Sequence, residues 1–280
     1  MRRILALSLS LLGCAHVQLS GRDLDQVKRP AWVSRIEENA GPLARVFRED
    51  ESYADRLKRL DPREADRRLA LKLASGVSRF EVSERVRAGA LGGLPQVAPW
   101  TQSVPQASVH TAFESFLVEE VPAHPPDYAV LKSLGADAVV EIVVKDYGLR
   151  SEGGRAQVFV EGYGRMFLLG GGDIWRWPFR KDLLRSDAAG LDPFDIAREP
   201  TRFREALTVV LDEVGREMAK ELSPTGRTSA APPPVGLEEL KSGSDSTNKT
   251  GTSEEDALES GPTPLDPKPP DPIDAPKPSS

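Results

Sequence analysis

The stretch DAVVEIVVKDYGLRSEGGRAQVFVEGYGRMFLLGGGDIWRWPF, residues 137–179, constrains this chain more than any other. Apolar residues alternate along three runs, and alternation with a period of two marks half-buried strands. Two glycine groups, Glu152-Gly153-Gly154 and Gly170-Gly171-Gly172, separate the runs and read as turns. Taking Glu152-Gly153-Gly154 as a three-residue hairpin loop fixes a register. Glu141 then faces Arg165, and Lys145 faces Glu161. In the same register Val139 meets Phe167, Val143 meets Tyr163, and Tyr147 meets Phe159. A cross-strand pair is worth ~0.2–1 kcal/mol, and a slip of one residue moves every side chain to the other face. One register yields two pairs of opposite charge, which favours it.

The alternate positions, Ala138, Val140, Ile142 and Val144 against Val160, Gly162, Gly164, Met166 and Leu168, make an apolar face for helices. In the third run Trp175, Trp177 and Phe179 alternate with Arg176 and Arg180. A two-residue Gly171-Gly172 turn, the preferred reading, sends the aromatics to the apolar face and the arginines to the charged one, and a three-residue turn does the reverse. Pro178 places this run at a sheet edge.

Helix signals surround the hairpin. Asp61-Pro62-Arg63-Glu64 has Asp at the N-cap, Pro at the first position and Glu at the third. Ser78 and Glu81 form a second capping pair, although Phe80, Val82 and Val86 also fit a strand. Further helices are predicted at 106–119, in a short piece capped by Asp127 and closed by Gly135, and at 201–222. In the last, Phe203, Leu207, Val210, Leu211, Val214 and Met218 form one stripe. The fold class is α+β: a three-stranded antiparallel meander at about 137–181, packed on one face by amphipathic helices.

From residue 223 the composition changes. Half of the 24 prolines lie in 223–280, and no aromatic follows Phe203. Such a segment buries too little apolar surface to offset an ordering cost of about 1–2 kcal/mol per residue. It is expected to be a disordered acidic tail. Residues 15–222 carry a formal charge of −3 and residues 223–280 carry −5. Neither part is basic, so nucleic acid is not an expected partner.

The chain opens MRRILALSLSLLGCAHVQ and holds one cysteine, Cys14. Arg2 and Arg3 precede an apolar run, Ile4 to Leu12, that is too short for a bilayer core needing about 20 residues. It has the charge and length of a secretory signal. Leu11-Leu12-Gly13-Cys14 resembles the lipobox of bacterial lipoproteins. The resemblance implies removal of residues 1–13 and acylation of Cys14, whose thiolate is the nucleophile. One acyl chain holds a protein marginally and two hold it stably. Residues 14–29 are then a lipidated tether and 30–222 a single domain. Ala15 stands where the enteric sorting rule places Asp for retention at the inner membrane. This points to the outer membrane, facing the periplasm.

The order of elements over 105–222, with Gly135-Ala136-Asp137 before the first strand, is similar to small α/β domains of envelope lipoproteins. These include activators of cell-wall synthases and curli-type secretion lipoproteins. The similarity implies a non-enzymatic lipoprotein that binds an envelope protein or peptidoglycan. An assembly subunit of a secretion or surface-fibre apparatus is the alternative, and an enzyme with an unrecognised site is the second. No cofactor is expected. His110 and His124 lack metal-ligand spacing and read as surface or helix-end residues. The LLGGGD segment precedes a strand rather than the helix that a phosphate cradle requires. The candidate partner surface is the mixed strand face: Tyr147, Phe159, Tyr163 and Phe167 among Glu141, Lys145, Glu161 and Arg165, and the rival reading is that N-terminal helices cover it.

Overall fold

A computed structural model describes residues 16–113, 121–182 and 190–223. Cys14, the signal segment 1–13, the end of the helix expected at 106–119 and the tail from 224 onward lie outside these residues. Five strands form one mixed sheet: β1 (Pro30–Ile36), β2 (Leu43–Arg45), β3 (Ala138–Glu152), β4 (Arg155–Leu168) and β5 (Asp173–Asp182). The order is β1-β3-β4-β5, and β2 also pairs with β3. The expected three-stranded meander is therefore the antiparallel part of a larger sheet. Both β1 and β2 add parallel to β3.

The helices are α1 (Gly21–Leu24), α2 (Ala54–Leu57), α3 (Pro62–Gly76), α4 (Arg79–Gly93), α5 (Gln106–Ala112), α6 (Pro193–Arg198) and α7 (Thr201–Glu221). Their starts follow the sequence signals. The Asp61 side chain accepts from Arg63 N and Glu64 N with Pro62 at N1. Ser78 and Glu81 close a reciprocal capping box, which makes 79–93 a helix and not a strand. Asp127 caps a 3-10 turn, Tyr128–Leu134, that ends at Gly135 in the left-handed region.

The β3–β4 hairpin has the expected register in its open half and a different one near its turn. Glu141 pairs with Arg165, Val143 with Tyr163 and Val139 with Phe167. The turn is the two residues Gly153-Gly154, with φ of +60° and +78°, as the tight hairpin turn with two positive φ angles requires. A bulge at Lys145 then shifts the pairing by one residue. Two departures cancel: a loop one residue shorter than expected and one extra residue in β3. Between them the pairing is displaced. Asp146, not Lys145, pairs with Glu161, and Tyr147 pairs with Val160 instead of Phe159.

The bulge also turns Tyr147 to the other face. It is fully buried in the main core with Val144, Leu149 and Val160. Burial pushes its hydroxyl up to about 12, and among the described residues that oxygen has no hydrogen-bond partner.

The main core lies between this face and the helices. Phe203, Leu207, Val210, Leu211, Val214 and Met218 of α7 are all buried there. Trp175 and Phe179 join them, so the β5 aromatics take the apolar side. The connection to β5 is longer than two residues, and a second irregularity near Phe167 restores the facing. Gly164 matters for close approach: a Cβ there would lie 2.5 Å from the Trp175 ring. A smaller cluster covers part of the opposite face. Val109 and Leu131 bring α5 and the 3-10 turn onto Ala31, Val33 and Val139.

The segment expected as a tether is part of the body. Val17 exchanges backbone hydrogen bonds with Arg176 of β5, at 2.8 and 2.9 Å. Leu19, Leu24 and Val27 are buried in the main core. Three apolar side chains within nine residues give this stretch more to gain from packing than from solvation.

Candidate functional site

The mixed face of the sheet centres on Glu141, which is completely buried. Parallel pairing of β1 with β3 brings Arg35 beside it. Arg35 Nε donates to Glu141 Oε1 at 2.7 Å. Tyr128 Oη donates to the same oxygen, and Arg165 Nε donates to Oε2. Arg35 also donates to the Ala123 carbonyl at 3.0 Å and to Tyr163 Oη at 3.1 Å. Burial alone would raise the Glu141 carboxyl. The hydrogen bonds from Tyr128 and Arg35 and the charge of Arg165 outweigh it and hold the group below the ordinary range. Burial, and then the neighbouring carboxylate, push the Tyr128 hydroxyl upward.

The aromatics of this face are occupied by cations from the same chain. Arg165 lies 4.8 Å from the Phe167 ring centroid. Tyr163 has Arg176 at 4.6 Å and Lys145 at 5.2 Å. Phe159 has Arg45 at 5.3 Å and Arg150 at 5.6 Å. Each contact is worth about 0.5–1 kcal/mol when exposed and more when desolvated. The pattern of aromatics among charges is thus largely satisfied within the protein.

The expected partner surface is corrected accordingly. Tyr147 is on the opposite face, while Glu141, Phe159 and Tyr163 are buried. Lys145, Arg165 and Phe167 are half-buried, and Glu161 is exposed. The accessible remainder is a charged rim around one aromatic. Chemically, Glu141 is a clamp. An ionised carboxylate with three strong donors on its two oxygens joins β1, β3, β4 and the 3-10 turn, and is poorly suited to accept a further proton.

A second polar cluster was not legible in the sequence. In the cleft between α4, α5 and β1, assigning the Gln106 amide oxygen and nitrogen so that both are satisfied has its nitrogen donate to the Trp32 carbonyl at 3.2 Å. Its oxygen then accepts from His110 Nε2 at 2.8 Å and Arg87 Nη1 at 2.7 Å. Arg87 also pairs with Glu84, and Ser34 hydrogen-bonds Ser83 at 2.6 Å. Burial, then the charge of Arg87, lowers the basicity of His110. The cleft volume is about 30 Å³, which is room for one water. Gln106 and His110 stand four apart on one helix, but Arg87 arrives from another, and only the fold brings them together. Among the described residues no group of three or more His, Cys, Asp and Glu side chains could hold a metal ion.

No protein-family model matches the chain, and no curated protein matches it. Among solved structures, one match is described as "Crystal structure of uncharacterized protein". It is 12% identical, covers 69% of this chain and 92% of its own, and has a TM-score of 0.30.

Proposed function

We propose that this chain is a bacterial envelope lipoprotein, held at a membrane by acyl chains on Cys14, that binds an envelope protein or peptidoglycan without catalysing a reaction. The observation that carries the reading is the Leu11-Leu12-Gly13-Cys14 sequence, which places the chain's one thiol directly after a short apolar run. Among the described residues no helix is long and apolar enough to cross a membrane. Binding is favoured over chemistry because the strongest electrostatic cluster, around Glu141, is closed on itself. Lys145, Glu161, Arg165 and Phe167 form the remaining accessible part of the mixed face and are the residues assigned to the partner.

The reading is tested by growing cells on an alkyne-bearing fatty acid and comparing the natural chain with Cys14→Ser. The natural chain is expected to take up label and sediment with membranes. The variant is expected to lose all label and collect in the soluble periplasmic fraction, because a single polar residue replaces several tens of buried methylenes at about 0.8 kcal/mol each. Equal distribution of the two proteins would overturn the anchor.

A further inference from the structure

We infer that this protein has no spacer between its lipid anchor and its folded body, so that one corner of the sheet is held against the lipid surface while the β3–β4 turn faces away. The inference rests on acylation of Cys14 as proposed above. The first described residue, His16, already contacts the body: its Nε2 lies 3.3 Å from Glu221 Oε2 at the end of α7. Val17 is bridged to Arg176 near the start of β5, and Leu19 is buried. Two residues, Ala15 and His16, separate Cys14 from that bridge at Val17, a span of three residue steps. A fully extended chain covers at most about 3.3–3.6 Å per residue, so the bridge lies within ~10 Å of the anchored residue. That is comparable to the depth of one headgroup layer. A flexible tether of fifteen residues would give an r.m.s. reach of about 20 Å instead.

The far end is defined by the same register. Arg176 pairs with Arg165, and β4 runs ten residues back from there to Arg155 beside the turn. At about 3.3 Å per residue the turn is ~33 Å from the anchored corner. Asp50 accepts from Gly154 N and from Ser151 Oγ, both at 2.7 Å. That contact brings the segment Arg48-Glu49-Asp50-Glu51 to the turn beside Glu152, Arg150 and Arg155, with Glu49 3.9 Å from Arg150, so four acidic side chains meet three basic ones there.

The test uses the full acylated chain, whose natural thiol is blocked by its lipid. A fluorophore is attached at Lys220→Cys or at Glu152→Cys, both exposed positions. The protein is bound to phosphatidylethanolamine–phosphatidylglycerol vesicles carrying a headgroup nitroxide quencher. Strong quenching is expected at position 220 and near-background quenching at 152. A twelve-residue Gly-Ser insertion between Ala15 and His16 is expected to remove the contrast while leaving vesicle binding intact. Equal quenching at the two sites in the natural chain, or a contrast that survives the insertion, overturns the inference and leaves the anchor standing. A chain that does not float with the vesicles overturns the anchor itself, and the orientation with it.

Discussion

Replacing Glu141 by Ala lowers the unfolding free energy by about 3–5 kcal/mol, because it strands the Arg35 guanidinium that the fold has withdrawn from water and takes an acceptor from the half-buried Arg165. Arg35 and Glu141 are paired where their side chains are 7% and 0% exposed, so solvent cannot take over the lost partner. Arg165 loses the same acceptor, and Tyr128 loses the oxygen to which its hydroxyl donates. Glu141→Gln keeps the shape and one acceptor and is expected to cost less. The measurement is urea denaturation followed by tryptophan fluorescence, with a double-mutant cycle to Arg35→Met. A coupling energy near zero between positions 35 and 141 would contradict the clamp.

The same carboxylate makes stability depend on pH. Its folded-state pKa lies below the unfolded value of about 4.3. Its contribution is therefore whole above that value and is lost as the pH falls through the folded pKa. Asp50 and Asp192 shift in the same direction. For each, hydrogen bonds outweigh the burial that would raise it. The natural chain is expected to lose stability progressively on acidification below about pH 4.5, and Glu141→Gln is expected to show a shallower loss.

Gly215→Val gives the second large effect. Here α7 crosses α4 backbone to backbone. A Cβ on Gly215 would sit 2.6 Å from Ala90 N and from the carbonyl carbon of Gly89. Neither atom belongs to a side chain that can rotate aside. The two helices must separate, which opens the core that both help to enclose. A cost of about 3 kcal/mol or more is expected, at the upper end for overpacking. Gly92→Ala is the control. It lies in the same helix as Gly89, but nothing is within 4 Å of its added Cβ. There the substitution should leave stability unchanged or raise it by about 0.5–1 kcal/mol. Equal thermal midpoints for Gly215→Val and the natural chain would refute the close crossing.

These predictions rest on contacts of unequal visibility in the sequence. The capping residues Asp61, Ser78 and Asp127 act within three residues of themselves, so the helix starts could be read locally. The outer half of the hairpin could be read because opposite charges and a glycine turn agreed. Its inner half could not. A bulge leaves no mark in a run of alternating residues, and a two-residue turn plus the bulge at Lys145 gives the same far register as a three-residue loop. That is why Tyr147 was expected beside Phe159 and instead lies in the core.

The strand β1 was missed for a different reason. Every residue of Pro30–Ile36 is buried, so it lacks the alternation of a one-sided strand. It also pairs in parallel with residues more than a hundred positions away. Without β1, Arg35 has no reason to be near Glu141. The sequence therefore offered Arg165 as the sole partner of a carboxylate that has three donors. The same gap made the mixed face look like an open binding surface when much of it is internal.

The proposed acylation of Cys14 would give the docked N-terminal segment and the proposed orientation of the sheet their meaning. It is tested most directly by mass spectrometry of the N-terminal peptide from protein extracted from the membranes of its native host. The account predicts a peptide that begins at Cys14 and carries a diacylglyceryl group on sulfur. A mature chain that begins elsewhere, or that begins at Cys14 with a free thiol, would contradict it.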